Sequence, residues 1–265
     1  MHAQDVPREA WLVLAIILLI AAGLRLTRLG LVEFKYDEAT TARAALAIAR
    51  EGEFAAVGMV SSAGPRNPAL MSYVLAPPFA ISRDPRLAAG WVALLGVAAV
   101  GMTYGLGHAF FGWRVGALAA ALFAASPWAV FQSRKLWAQN LPLLTLLFVA
   151  ALLILVVRRK AWALAPAMAL VGCLISLHLG GLAFVVVLAG VLMLFHDRIR
   201  LGPLLLGTGL LLLILAPYLV HDARNGWGNL RAFRNLGSAS AGLNLRAFTM
   251  AARVASGYHL QDLAG

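Results

Sequence analysis

Apolar residues fall into seven runs, at about 10–29, 87–109, 115–131, 140–157, 161–178, 180–196 and 201–220. Each approaches the roughly 20 residues that an α-helix needs to cross the hydrocarbon of a bilayer. The third run is short and closes at Ser126–Pro127–Trp128. The fifth and sixth are nearly continuous, with the turn between them resting on His178, Gly180 and Gly181. The pattern predicts an all-α, polytopic integral membrane protein of about seven transmembrane helices over residues 1–220. Beyond Val220 the chain turns polar and rich in Gly, Asn and Arg. Residues 221–265 are expected to be an extracytoplasmic tail with amphipathic stretches at Leu230–Leu236 and Leu245–Val254, the start of a further C-terminal portion.

One polar connection is long, from Gly30 to Arg86. Within it, Ala42, Ala45, Leu46 and Ala49 recur at helical spacing, which predicts a helix from Glu38 to Glu51 that stops at Gly52. Its modest apolar face suits a helix lying along a membrane surface. After the turn signal Gly64–Pro65–Arg66–Asn67–Pro68, a second apolar piece, Ala69 to Ala80, is too short to span. It is expected to be interfacial or re-entrant and broken at Pro77–Pro78.

Composition agrees with a lipid solvent. Hydrophobic residues make up 62% of the chain and charged residues 12%, against about a quarter charged in soluble domains. The net charge of +11 is spread over short connections, so it reads as topology and headgroup contact rather than nucleic-acid binding. Arg8, Arg114, Arg158–Arg159–Lys160, Arg198 and Arg200 collect on one side, while the short connections of the other carry only Arg134 and Lys135. The first group is expected in the cytoplasm, with the long loop outside. Arg25 and Arg28 run against the rule and are expected to snorkel to headgroups. Cys173 lies alone in an apolar run, which excludes a disulfide framework and a thiolate metal site. The N-terminal run is too long for a signal peptide and has no cleavage site, so it is expected to remain as an anchor.

Six of the eleven acids lie in the long loop: Glu33, Asp37, Glu38, Glu51, Glu53 and Asp84; none occurs from Pro85 through His196. Asp37 either caps the helix that follows or, fixed at its start, takes a proton from an acceptor hydroxyl. Glu38 points elsewhere on the helix and is a candidate for holding an acceptor or a divalent cation. Arg134 and Lys135, flanked by Trp128 and Trp137, are either solvated loop charges or ligands for a lipid phosphate. His178, at the outer end of the fifth run, and Asn140, at the start of the fourth, are candidate substrate contacts whose bland readings are an interfacial histidine and a cap.

Taken in order, Leu24–Arg25–Leu26 with Leu29, Tyr36–Asp37–Glu38–Ala39, Asn67–Pro68–Ala69–Leu70 with Tyr73, Ser133 through Leu141, His178 and Pro217–Tyr218 resemble the GT-C class of polyprenyl-phosphate-sugar-dependent membrane glycosyltransferases. The nearest likeness is to the protein-mannosyltransferase, aminoarabinose-transferase and RgtA/B/C/D-like family. The resemblance implies that Asp37 acts as base and Glu38 positions an acceptor or metal. It also implies that Arg134 and Lys135 stabilise the departing lipid phosphate and that the anomeric centre inverts. The partners it implies are a polyprenyl-phosphate sugar, a hydroxyl-bearing lipid, glycan or protein acceptor, and the bilayer itself, in the plasma membrane of a bacterium. The one cofactor the resemblance suggests is a divalent metal ion; none other is implied. Where some members carry a glutamate and a lysine before a Pro-Pro-Leu element, this chain has Arg66 and Asn67. Where others carry a carboxylate near the fourth span, it has Gln139 and Asn140.

Two other classes compete. A transporter or lipid-linked sugar flippase would place ionisable groups near mid-membrane, yet the later runs hold no acid. A non-catalytic assembly subunit would tolerate replacement of Asp37, Glu38 and Arg134 together.

Overall fold

A computed structural model describes residues 7–31, 34–61, 64–138, 142–239 and 248–249. The fold is predominantly helical. Helix α1 (Arg8–Leu26) is followed by α2 (Tyr36–Glu51), a hairpin of β1 (Val57–Val60) and β2 (Arg66–Pro68), and α3 (Leu70–Ile81). Then come α4 (Pro85–Phe111), α5 (Trp113–Ala125), α6 (Pro127–Gln132), α7 (Pro142–Val157) and α8 (Leu164–Leu177). Helices α9 (Ala183–Leu194), α10 (Leu201–Arg224) and α11 (Gly228–Ala239) complete the described chain.

Among the described residues three helices, α1, α4 and α10, are long and apolar enough to cross a membrane. Helices α5, α7, α8 and α9 are as apolar but have 13, 16, 14 and 12 residues. At 1.5 Å per residue they reach about 18–24 Å, short of a hydrocarbon core about 30 Å thick. The expected run 115–131 is divided because Ser126 and Pro127 end α5 and start α6. The Ser126 hydroxyl accepts from the Ala129 N–H at 3.5 Å, and Pro127 stands at a helix position where no N–H is needed.

Three apolar clusters hold the bundle. Helices α1, α4 and α5 meet around Ile17, Ala21, Val100 and Ala120. Here α4 and α5 approach so closely that a Cβ on Gly107 would stand 2.5 Å from the Gly116 Cα. Helices α7, α8 and α9 pack around Val149, Val156, Val171 and Leu174, with Leu204, Leu211 and Leu215 of α10 against them. The third cluster joins α2 and α3 to the first turns of α4 through Ala45, Leu75, Phe79 and Val92.

Several local expectations change. The β-hairpin was not expected in an all-α chain; it is antiparallel, pairing Val57 with Pro68 and Val60 with Arg66, and it forms around the turn signal at Gly64 and Pro65. Helix α3 does not break at Pro77–Pro78 but runs through both. Pro78 offers no N–H to the Val74 carbonyl four residues back, and the Trp91 indole Nε1 of α4 donates to that carbonyl instead, at 3.0 Å. Arg25 does not snorkel. It is fully buried, donating to the carbonyls of Ala124 at 2.9 Å, Phe123 at 3.2 Å and Ala21 at 3.4 Å. Its cation thus closes the last turn of α5, where unpaired carbonyls concentrate negative charge.

The charges also segregate. The C-terminal ends of α1, α8 and α10 and the first turns of α4 gather around α2, α3 and the hairpin. The contacts are Arg134 with the Leu24 carbonyl, Asn67 with Leu179, Tyr218 with Arg66, and Trp91 with Val74. At the opposite end Arg158 lies over the Phe110 ring at 4.4 Å, Arg159 pairs with Asp197, and Arg198 donates to the Val157 carbonyl.

Candidate functional site

The acid pair divides across α2. Tyr36 is the first helical residue, so the N-cap is Lys35 and Asp37 stands one position inside the helix, not at its cap. Glu38 follows as the third residue, and its Oε2 accepts from the Lys35 backbone N–H at 3.1 Å. Glu38 therefore supplies the carboxylate half of a capping box. Lys35 has no acceptor atom with which to supply the other half.

Glu38 is buried, and its Oε1 lies 3.7 Å from Lys135 Nζ. Lys135 in turn sits over the rings of Phe131 at 5.2 Å and Trp137 at 5.6 Å. The pair ties the start of α2 to the connection after α6. It also answers the expectation of a cation at Glu38: one oxygen is taken by a helix N–H and the other faces an ammonium. A divalent ion does not fit there. Among the described residues no three His, Cys, Asp or Glu side chains converge to hold a metal.

Asp37 turns the other way. Partly exposed, it lines a cavity of about 360 Å³ between α2 and the hairpin, with Thr40, Thr41, Met59, Arg66 and Ser72 around it. Among the described residues no hydrogen bond or ion pair reaches its carboxylate. Its backbone carbonyl accepts from the Thr41 hydroxyl at 2.8 Å. Helix α2 is held at its far end by Arg50 Nε, which donates to the Phe79 carbonyl at 2.9 Å, and it closes on Gly52 in the left-handed conformation, φ 69°. A carboxylate with free oxygens, held on a rigid helix beside a polar cavity, has the geometry a general base needs.

The remaining expected residues lie elsewhere. Arg134 does not face Asp37. It donates to the Leu24 carbonyl at the end of α1 and lines a separate cavity of about 300 Å³ with Phe34, Asp84, Arg86 and Leu136. Burial lowers its pKa from the ordinary arginine value. His178 caps a turn, its Nδ1 accepting from the Gly180 N–H at 3.0 Å, and burial holds the imidazole below its usual pKa. Asn140 lies outside the described residues. Lys135 is committed to Glu38.

The cation that shares a cavity with Asp37 is Arg66, which the sequence marked only as a departure from the family pattern. Its backbone is pinned on both sides. The Arg66 N–H donates to Asn229 Oδ1 at 2.9 Å, and its carbonyl accepts from the Tyr218 hydroxyl at 3.1 Å. The neighbouring Asn67 is buried and accepts at Oδ1 from the Leu179 N–H at 3.1 Å. These ties fix the hairpin against α10, α11 and the turn after α8. The one sequence signal for them was the Arg–Asn–Pro run itself, whose partners lie more than a hundred residues away. Compared with known protein families, curated proteins and solved structures, the chain matches none of them.

Proposed function

We propose that this chain is a multi-pass membrane glycosyltransferase. It moves a sugar from a polyprenyl-phosphate donor to a hydroxyl on a lipid, glycan or protein acceptor, with inversion. In this reading α5, α7, α8 and α9 cross the bilayer together with α1, α4 and α10, their short lengths made up by flanking turns. The end carrying α2, α3 and the hairpin faces away from the cytoplasm of a bacterial cell. The other end carries the Arg158–Lys160 run inside.

The observation that carries the proposal is the Asp37 carboxylate, unpaired among the described residues, on the cavity it shares with Arg66. Asp37 accepts the acceptor's proton as its oxygen attacks the anomeric carbon. The bond from that carbon to the phosphate oxygen breaks, and the lipid phosphate leaves as an anion. A leaving phosphate needs positive charge nearby more than it needs a proton, and Arg66 supplies it. Glu38 and Lys135 hold the helix that presents Asp37 and touch neither substrate.

The test is sugar transfer to membrane acceptors by purified protein. Asp37→Asn should lower kcat by about a hundred- to ten-thousand-fold, the usual worth of a general base, and leave thermal unfolding unchanged. Turnover near wild type in that variant removes Asp37 from the reaction.

A further inference from the structure

Three residues separate α10 from α11, so α11 starts at the rim of a helix long and apolar enough to cross a bilayer. The chain turns there through Gly226 and Trp227, both left-handed, at φ 68° and 61°. A bulky residue in that region is uncommon; here the Trp227 N–H donates to the Asp222 carbonyl at 2.7 Å. The Asp222 carboxylate is buried and serves the first turn of α11. Its Oδ1 accepts from the Asn229 N–H at 2.8 Å and its Oδ2 from the Leu230 N–H at 3.1 Å. Asn229 Oδ1 accepts in turn from the Arg66 N–H. The start of α11 is therefore tied to both α10 and the hairpin.

Round the helix, at about 100° per residue, three kinds of side chain follow in order. Ala232 and Asn229 are half-buried and form the side that meets the rest of the protein. Phe233 and Leu230 come next, and both are exposed. Arg234 and Arg231 follow, also exposed, and Asn235 stands beyond them. Trp227 is exposed beside the first turn, and Arg224 is exposed at the end of α10. No acid occurs from residue 223 through residue 261, and Asp222 spends both oxygens on the helix.

We infer that α11 lies on the membrane surface at the hairpin end, with Leu230 and Phe233 in the acyl boundary and Arg224, Arg231 and Arg234 on the phosphates of anionic lipids. Water suits the arginines and not the apolar strip beside them; the headgroup boundary suits both. Trp227 belongs at the same level, where indole rings concentrate. Charge complementarity selects anionic lipid over neutral lipid. The inference needs α10 to cross the bilayer, as the proposed function does, but it does not need sugar transfer.

The experiment uses the full chain with Cys173→Ala and one new cysteine at a time, Leu212→Cys on α10, Leu230→Cys or Asn235→Cys. Each carries the fluorophore NBD in nanodiscs of phosphatidylcholine with or without phosphatidylglycerol. Nitroxides on the upper acyl chain report lipid contact, and aqueous cobalt ions report water. In anionic discs nitroxides should quench the labels at 212 and 230, and cobalt the label at 235. Each arginine at an anionic surface is worth roughly a factor of five. Arg231→Gln with Arg234→Gln should therefore lower the ratio of lipid-seated to water-exposed label at 230 by about ten-fold or more. Neutral discs should lower it in the same direction. Wild-type unfolding midpoints show that the variants keep the fold. Amide exchange of the unsubstituted protein needs no variant: residues 229–235 should exchange more slowly in anionic discs than in neutral ones.

Cobalt quenching at 230 as strong as at 235 puts the helix in water and overturns the inference. A label at 230 that neither quencher reaches puts it under protein, whether the following segment or a second copy, and overturns it too. Equal seating or equal exchange in neutral and anionic discs removes the anionic lipid and has the same result. The readings fail separately. Nitroxide quenching at 212 without quenching at 230 sinks the surface helix and leaves α10 in the bilayer. Lipid seating of α11 in a protein whose Asp37→Asn variant transfers sugar as well as wild type sinks the role of Asp37 and leaves the helix.

Discussion

The two ends of the helical bundle use the same kinds of charge in opposite ways. At the end opposite the hairpin, Arg159 and Asp197 pair at 3.4 Å with side chains 70% and 50% exposed. At the hairpin end Glu38 and Lys135 pair at a longer 3.7 Å, but with side chains only 4% and 13% exposed. Distance ranks the first pair higher, and burial reverses the order. Water competes for exposed ions and salt screens them, whereas a buried ion that loses its partner has no solvent to turn to. The Arg159–Asp197 pair belongs to a solvated rim; the Glu38–Lys135 pair is part of the frame that holds the helix carrying Asp37.

Breaking the buried pair should therefore give the largest stability effect. Glu38→Ala removes the buried carboxylate that faces the Lys135 ammonium and accepts from the Lys35 N–H. The expected loss is about 3–5 kcal/mol, measured by denaturant or thermal unfolding in detergent. Replacing both residues, Glu38→Leu with Lys135→Met, should recover most of it, because an apolar pair pays no desolvation. If the single and double substitutions cost the same, the ion pair is not what fixes α2.

A smaller effect is expected at the proline step in α3. Trp91→Phe keeps the ring but removes the indole N–H that serves the Val74 carbonyl. An orphaned carbonyl costs about 1–3 kcal/mol, and unfolding of the variant should show a loss in that range. Loss of less than a few tenths would mean that water reaches Val74 without help.

Much of this architecture could be read from the chain. The helical spacing of Ala42, Ala45 and Leu46 placed α2, and Gly52 ended it where a left-handed residue was needed. Adjacent positions on a helix point about 100° apart, so Asp37 and Glu38 were bound to face different neighbours. What could not be read were the neighbours. Lys135 meets Glu38, Tyr218 meets Arg66 and Leu179 meets Asn67 only because helices distant in sequence end at the same level. The same holds for Arg25, which looks like a headgroup contact until the end of α5 is brought against it. Pro77 and Pro78 look like a break until Trp91 arrives to mend it. In each case local pattern gave the element and a tertiary partner decided the role.

Acid should also weaken the hairpin end in a measurable way. Burial holds the His178 imidazole below its usual pKa, so the unfolded chain binds a proton that the folded one refuses. Stability from this group is complete above the unfolded value of about 6.5 and falls as pH drops below it. Protonation also removes the Nδ1 acceptor of the Gly180 N–H. The unfolding midpoint should fall between pH 8 and pH 5, and His178→Asn should flatten that slope, since an Asn oxygen accepts the same i→i+2 bond without titrating. An equal slope in both proteins would assign the acid response to other groups.

The smallest effect should come from the shorter of the two pairs compared, Arg159–Asp197. Asp197→Ala removes the partner of Arg159 and a second contact, 3.7 Å from Arg198 Nε. Arg159 remains in solvent and Arg198 retains the Val157 carbonyl and the ring of Phe195. No buried charge is left behind, so the change in unfolding free energy should stay within about 0.5 kcal/mol and shrink further in high salt. A loss approaching that of Glu38→Ala would mean the two ends are held by the same physics, and that burial is not what separates a rim charge from one that positions the helix carrying Asp37.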